Sequence, residues 1–166
     1  NDFLKETWAD LGLPRDSRCL LLAEGEGRNA VYLAEQGMSV MGVDSSSVGL
    51  SKAHKLAAER NLRIETEIAD LATYDMGNSQ WDAIVGIFCH LSPDIRDRVL
   101  TNIPAALKSG GYVVFECCTP DQLAYKTGGP PAKEVMYSSE IFNDAFADKL
   151  EILRNSELTR EVAEGK

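Results

Sequence analysis

Short apolar runs that alternate with amphipathic segments constrain this chain more than any other feature. Residues 19–23 and 82–88 are apolar almost throughout, the pattern of strands buried on both faces of a sheet, and residues 39–43, 63–68 and 112–117 complete a set of five. Residues 29–36 carry Ala30, Val31, Leu33 and Ala34 on one side of a helix that Gly37 stops. Residues 47–60 place Leu50, Ala53, Leu56 and Ala57 at helical spacing. Ser92-Pro93-Asp94 supplies an N-cap, a first-turn proline and a dipole-favoured acid for a helix running towards Leu107, which Pro104 kinks or shortens. Lys108-Ser109-Gly110-Gly111 reads as a tight turn before the last of the five strands. A helix over 2–10, a glycine- and proline-rich loop around residues 127–131, a helix over 139–146 and a strand over 149–158 fill the remainder. Strands that alternate with helices predict an α/β fold, a doubly wound and mostly parallel sheet with helices on both faces.

Sheets of this kind hold ligands at the carboxyl ends of their strands. Residues 23–27, Asp44, Asp70, residues 88–90 and residues 116–119 all fall at such ends and converge in space although they are far apart in sequence. The first of these ends is the most specific. Leu20-Leu21-Leu22-Ala23-Glu24-Gly25-Glu26-Gly27-Arg28-Asn29-Ala30 is an apolar run that stops at closely spaced glycines and then turns amphipathic. Gly25 and Gly27 let backbone approach a ligand, and the amides that open the next helix face it. Arg28 and Asn29 are read as capping that helix. Asp44 follows Gly27 by 17 positions, where its carboxylate can accept the two hydroxyls of a ribose. The combination points to an adenosine-containing cofactor.

Composition excludes other classes. With 17 basic and 26 acidic residues the net charge is −9, which argues against a nucleic-acid surface built from clustered lysine and arginine. No apolar run approaches the roughly 18 residues that a membrane span needs. Cys19, Cys89, Cys117 and Cys118 have no metal or redox spacing and read as reduced thiols of a cytoplasmic protein.

Gly25-Glu26-Gly27-Arg28-Asn29-Ala30 also fits the G-x-G-x-x-A pattern of nicotinamide oxidoreductases. That alternative leaves unexplained both Asp70, a carboxylate placed for the exocyclic amine of adenine, and the Gly110-Gly111 turn. With these residues the chain resembles the class I S-adenosylmethionine-dependent methyltransferases over roughly residues 18–160. Val43-Asp44-Ser45, Ala69-Asp70-Leu71, Trp81-Asp82-Ala83-Ile84-Val85 and Leu107-Lys108-Ser109-Gly110-Gly111-Tyr112 all take part in the resemblance. Gly-x-Gly-Arg-Asn-Ala with the Gly-Gly-Pro-Pro loop is most similar to the small tellurite-resistance-type and thiopurine-type members.

The resemblance implies S-adenosyl-L-methionine as cofactor. Ala23, Glu24, Gly25 and Gly27 would hold its methionine part, Asp44 and Ser45 its ribose, and Asp70 and Leu71 its adenine, with Phe88 lining the pocket below the sulfonium. Two positions depart from the family: Leu21 stands where an acid is usual, and Ala23 where a glycine is usual. Glu24 is placed to supply the missing carboxylate, and the two departures also admit a non-catalytic cofactor-binding module of the same fold. No catalytic residue is assigned. His90, Glu116 and Tyr125 are the candidates for contact with a small-molecule acceptor, a soft nucleophile such as a thiol or a metalloid anion. The resemblance further implies one more strand after Gly165-Lys166 and an N-terminal segment over the site, so residues 1–166 read as one domain trimmed or disordered at both ends.

Overall fold

Every strand pairing is parallel in the computed structural model, which describes residues 1–161. The strands β1 (Arg18–Leu22), β2 (Ser39–Asp44), β3 (Glu65–Ile68), β4 (Trp81–Ile87) and β5 (Leu107–Glu116) lie in the order β3-β2-β1-β4-β5. The order reverses between β1 and β4, so the loops that leave these two strands border the crevice where such sheets take ligands. Helices α1 (Asp2–Leu11), α2 (Arg28–Glu35), α3 (Ser47–Glu59), α4 (Pro93–Ala106), α5 (Gln122–Tyr125) and α6 (Ser139–Phe146) complete the fold.

The continuous apolar runs are explained by two cores, one on each face of the sheet. In β1, Cys19 and Leu21 join a cluster with Leu4, Trp8, Leu33 and Ala53, whereas Leu20 and Leu22 join another with Leu100, Ile103 and Phe146. In β4, Ala83 and Val85 face the first cluster and Ile84 the second. Period-two side chains covered on both faces leave no position for a polar residue. Leu21, in the place of the family's acid, is 1% exposed within the first core.

Two expected features take another form. Residues 108–111 are not a turn before β5 but a bulge within it: Trp81 pairs with Leu107 and Ala83 with Tyr112, and Gly110 sits in the bulge with a φ of 76°. The expected strand over 149–158 is absent. That segment is irregular, and Ile152, Leu153 and Leu158 are exposed rather than set against a sheet. Side chains tether it instead, with Asn155 Nδ2 donating to the Ser139 carbonyl and to Asn143 Oδ1. Pro104 lies in the last turn of α4, which ends at Ala106. Gly165 and Lys166 lie outside the described residues. Among those described, no helix is long and apolar enough to cross a membrane.

The loop after β1 is backbone-limited. Ala23 has a φ of 53°, a left-handed conformation that disfavours any side chain, which accounts for the family's glycine there. Gly27 has a φ of 86°, and a Cβ on it would stand 2.4 Å from Ala53 Cβ on α3. Urea unfolding therefore separates the two: Ala23→Gly raises stability by about 1 kcal/mol, and Gly27→Ala lowers it by about 2 kcal/mol. Changes of the same sign at both positions would refute this account of the loop.

Candidate functional site

The glycine loop is held by two carboxylates of its own chain. Asp44, at the end of β2, accepts from the Gly25 amide through Oδ2 and from the Ser46 amide through Oδ1, each at 2.8 Å. It thus joins the loop to the start of α3, where Ser46 Oγ accepts from Gly49 N. A carboxylate has about four lone-pair sites. Two remain for a ligand, and Asp44 is only partly buried.

Glu24 has a different task. The N-cap of α2 is Gly27, which has no side chain to satisfy the first helical amides. Glu24 reaches forward from the loop, and its Oε1 accepts from Ala30 N at 2.7 Å. The cap therefore comes from Glu24 rather than from Arg28 or Asn29, and the carboxylate expected to replace the family's missing acid is engaged with the start of the helix. Burial lifts its pKa from 4.5 to about 7, with the Asp44 charge adding to the rise and the Ala30 and Asn29 amides opposing it. Asn29 Oδ1, in the first turn of α2, is buried with no hydrogen-bond partner among the described residues.

The end of β3 adds the second expected acid. Asp44 O accepts from Ala69 N at 3.1 Å, so the turn carrying Asp70 is anchored to the same residue that holds the glycine loop. Asp70 is exposed, and its Oδ1 accepts from Ala72 N at 2.8 Å in an Asx-turn. Leu71 is buried beside it. Arg98 of α4, which no sequence pattern singles out, donates through Nη1 to the carbonyls of Leu71 and Tyr74 at 3.1 Å each. Its contact depends on where α4 lands, which local sequence does not express.

At the ends of β4 and β5 the candidates divide. Phe88 has a φ of 54°, a strained setting of the sort that concentrates at sites, and its ring stacks on His90 at 6.3 Å. His90 Nε2 accepts from Cys118 N at 2.9 Å, so the ring is neutral with its proton on Nδ1. Burial lowers its pKa, partly offset by a hydrogen bond to the Phe88 carbonyl. Nε2 thus ties the end of β4 to the end of β5 while the Phe88 carbonyl accepts from the ring's N–H, leaving no free lone pair for a general base. Burial also raises all four thiols, Cys19 and Cys89 to about 12, so none is an activated nucleophile. Glu116 is committed elsewhere. It accepts from Arg160 Nε and Nη2 and from Asn1 Nδ2, which draws it out of an acceptor role. Tyr125 is 54% exposed on α5 with its hydroxyl near Thr159, away from the glycine loop's contacts. Ser45 is exposed at the start of the loop into α3.

A glycine-rich loop and two strand-end acids, Asp44 and Asp70, meet at the carboxyl edge of a parallel, Rossmann-like sheet. Residues 20–111 match the family described as "Methyltransferase domain", and the chain belongs to that family. It is 31% identical to glycine N-methyltransferase of Oryctolagus cuniculus, over 89% of this chain and 57% of that protein. It is 29% identical to the cypemycin N-terminal methyltransferase of a Streptomyces species, over 78% and 53%. Among solved structures it is similar to a TehB-like S-adenosylmethionine-dependent methyltransferase from Corynebacterium glutamicum, with a TM-score of 0.54 and 28% identity over 65% of this chain and 59% of that one. The chain spans about half the length of the curated relatives that it matches.

Glu24 makes stability depend on pH. Its pKa is raised on folding, so between pH 4.5 and about 7 the folded chain binds more protons than the unfolded one, and stability falls as pH rises through that window. The full loss is about 3 kcal/mol. Glu24→Gln keeps an acceptor for Ala30 N and removes the titration, so urea unfolding at pH 5 and at pH 8 should give a flatter difference than in the parent. An unchanged difference would show that Glu24 is not its source.

Proposed function

We propose that this domain transfers a methyl group from S-adenosyl-L-methionine to a small-molecule acceptor. The observation that carries the reading is Asp44, which joins the glycine loop to the start of α3 through the Gly25 and Ser46 amides while keeping lone pairs for a ribose, with Ala69, next to Asp70, donating to its carbonyl one strand away. In this reading residues 23–27 surround the methionine part, with Glu24 acting through α2 rather than by contact. Asp44 and Ser45 hold the ribose, Asp70 and Leu71 the adenine, and Phe88 lies below the sulfonium. When bound, that sulfonium supplies an already activated methyl group, displaced in line by an acceptor lone pair. Holding the partners in line and excluding water is then the protein's main contribution, worth roughly 7–11 kcal/mol.

The acceptor half supports a soft nucleophile that arrives with its lone pair available, a thiolate or a metalloid anion. Neither His90 nor any cysteine offers a free base. The likeness to a TehB-like S-adenosylmethionine-dependent methyltransferase supports the cofactor but names no acceptor, and the curated relatives are named for glycine and N-terminal methylation. The net charge of −9 favours a small molecule over nucleic acid, and the free thiols favour the cytoplasm.

Calorimetric titration of the full chain with S-adenosylhomocysteine should give saturable heat, and no binding at about 1 mM would refute the proposal. Asp44→Asn should weaken that binding about 10- to 100-fold through the loss of charge-assisted hydrogen bonds. For a series of thiols, the pH midpoint of kcat/KM should follow each thiol's own pKa. A midpoint that stays fixed across the series, and that His90→Asn abolishes, would restore a base to the enzyme.

A further inference from the structure

Beyond the strand-end rim, a cleft of about 400 Å³ opens between the start of α4, the 3-10 turn Lys133–Val135 and the start of α6. Its lining includes Pro93, Arg96, Lys133, Glu134, Tyr137 and Ser138. Arg96 is the unusual member. Its side chain is only 12% exposed, yet no buried carboxylate pairs with it among the described residues. Nη1 donates to the carbonyls of Glu134 and Met136 at 3.2 Å, and the guanidinium lies over the Tyr137 ring at 5.5 Å. Nε reaches Asp97 Oδ1 at 3.4 Å, but that carboxylate is 70% exposed and screened by water. Nη2 donates to no acceptor among the described residues.

Carbonyls and an aromatic face orient a guanidinium without neutralising it. Withdrawing such a charge from water costs several kcal/mol unless a counter-charge is supplied. A planar oxyanion is the natural complement, because the guanidinium fork binds both of its oxygens. Lys133, whose ammonium forms no ion pair among the described residues, lines the same cleft and adds a second cation, against the single carboxylate of Glu134. At the adjoining start of α6 the chain already lodges a carboxylate, Glu157 Oε1 accepting from Ser139 N at 2.7 Å without reaching Arg96. The cleft also shares a wall with the cofactor rim. Tyr137 N donates to Cys118 O at 3.0 Å, and the Tyr137 ring meets the edge of His90, which stacks on Phe88.

We propose that this cleft binds a carboxylate carried by the methyl acceptor, with Arg96 as its anchor and Lys133 as the second cation. The word acceptor rests on the methyl-transfer reading above, whereas carboxylate binding does not. The test is titration of the full chain, alone and saturated with S-adenosylhomocysteine, with benzoate and with its neutral isostere benzamide, followed by amide and guanidinium NMR shifts. Benzoate should shift Arg96, Tyr137 and Ser138 saturably and bind at least tenfold more tightly than benzamide. Arg96→Gln should abolish that preference and Lys133→Gln should reduce it. Glu134→Gln, a change at an exposed side chain, should tighten benzoate severalfold and keeps the test valid should Arg96→Gln fail to fold. Equal binding of the two compounds, or a preference that survives Arg96→Gln, would overturn the proposal. A protein that prefers benzoate but never binds S-adenosylhomocysteine would overturn the acceptor assignment and the methyl-transfer reading together.

Discussion

The site depends on the carboxylate of Asp44 more than on any other group. One oxygen holds the loop that leaves β1, the other holds the start of α3, and the residue's own carbonyl anchors the turn that leaves β3. Three connections far apart in sequence are referred to one side chain and its peptide. Parallel pairing makes this possible, since the strands all end on the same side and β2 lies between β1 and β3. An acid at this point is thus structural before any ligand arrives, and what it offers a ligand is the remainder of its hydrogen-bonding capacity.

The buried polar groups near that rim are arranged to avoid charge. Glu24 is pushed towards neutrality by burial, His90 is held neutral by the Cys118 amide, and the thiols are kept protonated. Each serves to join elements: Glu24 satisfies an α2 amide that a glycine N-cap cannot, and His90 joins the ends of β4 and β5. A reaction that needs positioning more than proton transfer tolerates such a lining. The left-handed backbone at Ala23 and Phe88 marks where this rim departs from locally preferred conformation.

What sequence reasoning recovered follows from which signals are local. Leu20, Leu21 and Leu22 announce a strand because alternate side chains enter different cores, and Asp44 and Asp70 are legible because strand ends are. The strand expected over 149–158 failed because that segment pairs with neither edge of the sheet, and Ile152 and Leu153 remain exposed. The glycine pair at 110–111 reads as a tight turn before β5 but sits in a bulge within it, a distinction that depends on the register with β4. Arg96 and Arg98 were invisible, since on a helix they read as ordinary solvated cations. Their partners are carbonyls of segments whose positions only the tertiary structure defines. Glu116 was legible as a strand-end acid, but its partners were not.

Glu116 has a mechanical consequence of its own. By gripping Asn1 on one side and Arg160 on the other, at the end of an inner strand's neighbour, it closes the described chain into something close to a ring. In a ring, slack introduced at one point is taken up at another. Loosening of the segment around Arg160 is therefore communicated to α1 through this carboxylate and through the Arg154 guanidinium over the Phe3 ring, and the two segments are expected to lose hydrogen-exchange protection as one cooperative unit.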